Sequence, residues 1–207
     1  MRPISKTDYL TYLECPKNAW LKIHKPEIFA EFPLSEFEKS IIETGNEVEE
    51  YARKLFPAGV IVEGRDSLSQ EKTKLLVCAK TSVIFQPVFV TDGFLAAADV
   101  LSYDTEKKVW NLYEIKASSA TKESGERSHI EDLTFQKIVL EQSGIAIGNV
   151  FVIHLNSKYV RKESLELEEL FTFDDVTEKV AVLQTETEEK MERAKAYLSA
   201  DSEPTGL

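Results

Sequence analysis

The stretch from Phe94 to Ser119, FLAAADVLSYDTEKKVWNLYEIKASS, limits the possible fold more than any other part of the chain. Val100-Leu101 and Val109 to Tyr113 are rich in β-branched and aromatic residues, and the polar run Asp104 to Lys108 between them predicts a hairpin turn. Antiparallel partners keep a constant sum of residue numbers. A hairpin symmetric about that turn therefore pairs Tyr103 with Trp110 and sets Asp99 opposite Glu114. Side chains alternate faces along a strand, which sends Glu114 and Lys116 to one side and Ile115 to the other. The alanines at 96 to 98 keep the neighbourhood open.

Two like charges facing each other destabilise a sheet, so Asp99 and Glu114 ask for a divalent cation between them, and hard oxygen ligands suit magnesium or manganese. A lysine two residues on, Lys116, can hold a phosphate or polarise an attacking water beside such a metal. These residue types in this order point to metal-assisted phosphodiester hydrolysis. The same spacing also describes a solvated sheet face with Lys116 in a cross-strand ion pair, and the residue types alone leave both readings open.

An aspartate followed fifteen positions later by Glu-x-Lys, here Asp99 and Glu114-Ile115-Lys116, resembles the signature of the PD-(D/E)xK nuclease superfamily. The surrounding sequence is similar to its RecB-like branch, which includes CRISPR-associated exonucleases. SKTDYLTYLECPKNAWLKIHKPE near the N-terminus resembles the helical entry of an uncharacterised bacterial family in that branch, and HIEDLTFQKIVLEQSG resembles its glutamine-bearing helix. The similarity runs over nearly the whole chain. It implies a restriction-endonuclease-like α/β fold, with a mixed sheet of four to five strands flanked by helices. It also implies a magnesium- or manganese-dependent deoxyribonuclease that acts on DNA, single-stranded or at duplex ends, and leaves a 5′-phosphate.

In that reading Asp99 and Glu114 bind the metal together with the Ile115 carbonyl. Lys116 positions the nucleophile or stabilises developing charge, and Gln136 orients a water, the lysine or the phosphate. RecB-like nucleases generally carry a histidine ligand in a Gly-x-x-hydrophobic-His pattern, and Gly45-Asn46-Glu47-Val48-Glu49 matches it with glutamate in the histidine's place. Glu49 is thus either a further metal ligand or a partly exposed helix glutamate. Where many relatives have tyrosine four residues after the glutamine, this chain has Leu140. The bland alternative for Gln136 is a surface or groove amide.

RecB-like relatives with an iron–sulfur cluster pair one cysteine, in a context like Cys15-Pro16, with three more beyond a C-terminal helix. This chain stops where that trio would begin, so no cluster is expected and Cys15 is left as the one candidate ligand, behaving as a plain thiol. The resemblance then implies either a piece of a longer protein that lacks its C-terminal domain or a family member without the cluster.

Composition sets wider bounds. With 207 residues, 43% of them hydrophobic, the chain can bury one sizeable core. A single domain over residues 1–198 is expected: a helical entry segment at 1–33, a catalytic core at 34–175 and a C-terminal helix at 176–198, followed by a disordered tail at 199–207. The sequence holds no apolar run long enough to span a bilayer, and Met1 to Lys6 lacks the apolar centre of a signal peptide, so no membrane association and a cytoplasmic location are expected. Two cysteines make no disulfide framework.

The net charge of −11 argues against a protein that coats DNA, because non-specific affinity comes from lysine and arginine neutralising phosphates. The acidic excess is heavy between Glu163 and Glu192, while Lys17, Lys22, His24, Lys25, Lys116, Lys122, Arg127 and Lys137 lie around the motifs. A local basic channel is compatible with that distribution. So is a competing reading, a catalytically inactive nuclease-fold module that binds nucleic acid or protein within a longer protein.

Local signals place the remaining elements. Ser5 to Asp8 reads as a helix start, and Pro16 suits the first turn of a second helix. Residues 25–33 read as loop. Ile41, Gly45, Val48, Glu49, Ala52, Leu55 and Phe56 share one face of a long helix. Ser67 to Ala79 predicts another, with Leu75, Leu76 and Cys78 towards the core. Strands are expected at 60–62, 82–90 and 149–155, a mobile loop at 118–128, and a helix from Val176 opened by an Asp175/Glu178 capping pair.

Overall fold

The computed structural model describes residues 2–28, 35–125 and 128–202. In chain order its elements are β1 (Ile4–Ser5), α1 (Lys6–Glu14), α2 (Pro16–His24), α3 (Glu36–Arg53), β2 (Val60–Ile61), α4 (Ser67–Cys78), β3 (Val83–Phe85), β4 (Val88–Thr91), β5 (Phe94–Ala97), β6 (Val100–Asp104), β7 (Val109–Lys116), α5 (His129–Gln142), β8 (Ile147–Leu155), α6 (Leu167–Leu170), β9 (Phe171–Asp175) and α7 (Thr177–Leu198). Six strands form a mixed sheet in the order β2-β3-β6-β7-β8-β9, and three form a second sheet, β1-β5-β4. The chain is therefore a mixed α/β protein whose sheets are flanked by helices, with more strands than the four to five expected in one sheet.

The β6–β7 hairpin takes the register that its turn dictates. Asp104 Oδ1 accepts from the amides of Glu106 and Lys107, each at 2.9 Å, and Lys108 closes the turn with a φ of 59°. Tyr103 pairs with Trp110 and Val100 with Tyr113, which puts Asp99 one step past the last pair and beside Glu114. β7 runs through the middle of the sheet, antiparallel to β6 and parallel to β8, with α5 as the crossover. Its faces divide as alternation requires: Trp110 and Leu112 belong to the core beneath α1, α5 and α7, whereas Ile115 joins Val48, Ala52 and Phe85 on the α3 side.

The strand expected over 82–90 is split in two, β3 and β4. Gln86 has a φ of 51° and is followed by Pro87, so the first strand cannot continue its ladder through this point. The neighbouring strand breaks at the same level: the Gln86 amide donates to the Asp99 carbonyl at 3.0 Å, and the Ala98 amide to the Pro87 carbonyl at 3.2 Å. The chain beyond the break, β4 and β5, leaves the large sheet and pairs with β1, the Ile4 amide reaching the Gly93 carbonyl at 2.7 Å. Asp99 sits at that branch point.

Helix starts follow their local signals. Ser5 and Asp8 make the reciprocal capping box of α1, and Pro16 opens α2. In α5, ten of the fourteen residues are buried, because the helix lies between sheet and α7. Gly144, with a φ of 85°, ends it in the left-handed conformation that lets the Ile145 amide return to the Leu140 carbonyl.

Several expectations are corrected. Leu75 and Cys78 of α4 are exposed, and only Leu76 of the three packs on the core; the buried positions are Ser69 and Thr73, whose hydroxyl Oγ1 accepts from the Val88 amide. Ile41 of α3 is exposed, so the apolar face takes hold only from Val48 onward. Phe171 to Asp175, for which no element was expected, is an edge strand antiparallel to β8. Asp175 caps Thr177 through its amide and hydroxyl, not Glu178. In the loop after β7, where residues 126 and 127 lie outside the described residues, Thr121 Oγ1 donates to Asp174 Oδ2 at 2.6 Å and Ser128 Oγ to the Glu123 carbonyl at 2.8 Å. The C-terminal turn is anchored by Trp20 Nε1, which donates to the Ala200 carbonyl at 2.9 Å. Residues 29–34 of the expected loop, Arg127 of the basic set and residues 203–207 of the expected tail lie outside the described residues. No described helix is long and apolar enough to cross a membrane.

Candidate functional site

β7 carries Glu114 and Lys116 to the face covered by α5, two positions apart and pointing the same way. Both meet groups that lie far away in the chain. Lys116 Nζ donates to Glu114 Oε1 at 2.6 Å and to Asp132 Oδ2 at 2.9 Å. Lys6 Nζ, from the first turn of α1, lies 3.0 Å from the same Glu114 Oε1 and 3.0 Å from Asp132 Oδ1. Two lysines and two carboxylates thus form a closed ring. Gln136 Nε2 bridges the carboxylates from below, donating to Glu114 Oε2 and Asp132 Oδ1, each at 2.8 Å.

Local spacing explains the convergence. Asp132 and Gln136 are four residues apart on α5 and so share a face. Tyr9 lies three residues after Lys6 on α1, and Phe135 three after Asp132 on α5. Their rings stack at 4.9 Å, and this contact, with the β1–β5 pairing, docks Lys6 over Asp132. Burying two charges costs several kcal/mol per ion unless each is paired and hydrogen-bonded, as every member of this ring is.

Electrostatics divide the two carboxylates of the hairpin. Burial works to raise Glu114, but Lys116, Lys6 and Gln136 outweigh it and hold its carboxyl well below the usual carboxylate range. Burial likewise opposes charge on Lys6 and Lys116, yet Glu114 and Asp132 raise both ammonium groups well above ordinary lysine. Asp99 goes the other way: burial first, and then the charge of Glu114, push it up to about 8, against the opposing pull of Lys6 and of the Ile115 amide, which donates to Asp99 Oδ2 at 2.7 Å. Glu49 adds to that upward push from the α3 side.

The structure brings together Asp99, Glu114, Ile115, Lys116 and Gln136. Gln136 is fully buried, which excludes its reading as a surface amide. Glu49 is near enough to act on Asp99 but is held by others: its Oε1 accepts from Arg53 Nη2 and, at 2.9 Å, from Gln86 Nε2. Lys6 and Asp132 were not among the residues expected from sequence. Asp132 had a readable signal in its spacing to Gln136. Lys6 had a fainter one, a lysine at a helix N-terminus, where the macrodipole disfavours positive charge. His129 opens α5 close to the ring. Its Nδ1 accepts from the Lys122 amide at 3.0 Å, and burial and then Lys116 lower its pKa.

Among the described residues, no group of three or more His, Cys, Asp or Glu side chains is arranged to cage a metal ion. The donor set nonetheless fits a hard divalent cation of the magnesium kind, which is commonly held by one or two carboxylates, with waters and substrate oxygens completing its shell. Asp99 is a buried carboxyl pushed towards its neutral form by burial and by Glu114, and Gln136 Oε1 is a buried acceptor with no hydrogen-bond partner.

The sequence matches no family model, and no curated protein matches it significantly. Among solved structures the chain is similar to an alkaline exonuclease from Laribacter hongkongensis, at 13% identity and a TM-score of 0.49, over 95% of this chain and 89% of that one.

Proposed function

We propose that the chain is a magnesium- or manganese-dependent nuclease of the PD-(D/E)xK type, in its RecB-like branch, hydrolysing phosphodiester bonds of DNA in the cytoplasm. The observation that carries this reading is the juxtaposition of Asp99, one residue before β6, with Glu114 on β7, and of Lys116 two residues on and on the Glu114 face. Asp99 and Glu114 would hold the cation, with the Ile115 carbonyl as a further oxygen and Glu49 as a carboxylate released from Arg53. Bound there, the ion would supply Lewis acidity to the phosphate and acidify a coordinated water.

The chain's own residues have separable tasks. Lys116, kept charged by Glu114 and Asp132, stabilises negative charge that builds on the phosphate. Gln136 orients Glu114 through Nε2 and offers Oε1 as an acceptor for a water proton. The Ile115 amide fixes the rotamer of Asp99. Because the ring buries its charges against one another, it presents the substrate with a preset field that needs little reorganisation during reaction.

The test is cleavage of labelled single-stranded and duplex DNA with magnesium and with manganese. Wild type should cut only with metal, and Lys116→Ala should cut about 100- to 1,000-fold more slowly. Equal background cutting by both proteins rejects the catalytic reading. One observation favours the inactive-module alternative: both oxygens of Glu114 are already engaged, by Lys6 and Lys116 on one and Gln136 on the other. That alternative requires absence of cutting together with retained nucleic-acid or protein binding.

A further inference from the structure

The ring of Lys6, Glu114, Lys116 and Asp132 is layered in depth. Both lysine side chains are 24% exposed, whereas Glu114 and Asp132 are 3% and 6% exposed. The carboxylates form the floor and the ammonium groups the outer layer, so an approaching molecule meets positive charge first. Each ammonium carries three donors; in the ring Lys116 donates two, to Glu114 and Asp132, and Lys6 donates one to Glu114 with Asp132 as a further ion-pair partner. At least one N–H of Lys6 and one of Lys116 therefore lie outside the ring.

Their separation is bounded. Both nitrogens touch Glu114 Oε1, at 3.0 and 2.6 Å, so they lie no more than about 5.6 Å apart. A single phosphate spans that gap, with one oxygen on each ammonium at charge-assisted hydrogen-bond lengths of about 2.8 Å. Two ammonium groups this close repel unless anions support them, and Asp132 is placed for that purpose: it takes Lys6 on one oxygen and Lys116 on the other.

We propose that Lys6 is a second phosphate-binding residue of this site, forming with Lys116 a two-ammonium cradle for one backbone phosphate of a nucleic-acid strand, and that Asp132 is the positioning residue that holds the two lysines side by side. The proposal rests on the nuclease reading only for the identity of the substrate. The cradle itself follows from the ring, and it makes α1, a helix remote in sequence from the carboxylate motif, part of the binding surface.

The experiment is binding of a fluorescein-labelled single-stranded oligonucleotide in EDTA, followed by anisotropy as a function of salt, for wild type, Lys6→Gln and Lys6→Arg. Wild type should bind at low salt. Lys6→Gln should bind about tenfold more weakly, and the slope of log affinity against log salt should fall in magnitude by about 0.7, the loss of one phosphate contact on a single strand. Lys6→Arg, which keeps the charge, should retain the wild-type slope. A slope unchanged in Lys6→Gln overturns the proposal, because a lysine that only balances buried carboxylates releases no counter-ion from the strand; so does a wild type that does not bind. Should Lys6→Gln not fold, lysine Nζ signals of wild type titrated with inorganic phosphate decide the matter: the Lys6 and Lys116 signals must move together, and movement of Lys116 alone refutes the cradle. If the slope falls but wild type cuts no DNA with metal, the cradle stands and the nuclease reading fails.

Discussion

The α5 side of the site and its α3 side are built from the same kinds of groups, but they are neutralised to different degrees. On the α5 side, Glu114 and Asp132 share two lysines and an amide and are sealed from water. On the α3 side, Glu49 has one arginine and one glutamine in a partly exposed setting, and Asp99 has a single backbone amide. Neighbouring carboxylates therefore end in opposite states, Glu114 held ionised and Asp99 pushed towards protonation. In the proposed reading, a cation would bind beside Asp99, the carboxyl pushed towards protonation.

The contrast is broken most severely by removing a floor carboxylate. Asp132→Ala leaves two ammonium groups on Glu114 alone, and breaking a buried pair of this kind costs about 3–5 kcal/mol of unfolding free energy in a urea titration. A loss below about 1 kcal/mol would mean that the ring is solvated rather than buried.

A second test uses the sign of each carboxylate's linkage to pH. Glu114, depressed when folded, contributes stability above its ordinary value of 4.5 and loses it on acidification. Asp99 is raised from 3.8 to about 8 when folded. The unfolded chain then binds fewer protons at this group between those values, so the metal-free protein loses stability as pH rises through that window, by up to about 1.4 kcal/mol per pH unit. Thermal melts of wild type and Asp99→Asn from pH 5 to pH 8 should diverge, the variant being the flatter. Parallel curves would show that Asp99 is not under this pressure.

Magnesium should sharpen the same difference. A ligand that binds only the folded state stabilises it by about 2.7 kcal/mol at a hundredfold excess over its dissociation constant. The rise in Tm of wild type should be larger at pH 8 than at pH 5, and absent in Asp99→Asn. The smallest effect belongs to the α3 side: Arg53→Gln removes an ion pair within one helix, with both partners partly solvated, and should cost roughly 0.5 kcal/mol in the same urea titration.

Features that arise from near neighbours in the chain were legible. The Tyr103–Trp110 register follows from the turn between them, the Ser5–Asp8 capping box from a three-residue spacing, and the buried Gln136 from the apolar face around it. The strand at 149–155 announced itself as an apolar run, and it falls beside β7 as a parallel neighbour. The edge strand β9 was harder to read, because its acidic residues mask a short alternation that is fixed by backbone pairing with β8.

What the sequence by itself determined, then, is the hairpin that sets Asp99 beside Glu114 and turns Lys116 to the same face, since turn chemistry and strand alternation act over a few residues. Only the tertiary structure decided that the strands break at Gln86 and Asp99 to found a second sheet, and that Lys6 and Asp132 close a ring around Glu114. The reason is physical: Lys6 and Glu114 are 108 positions apart, and no local periodicity records which charges will meet once Tyr9 stacks on Phe135 and water is driven from between the helices.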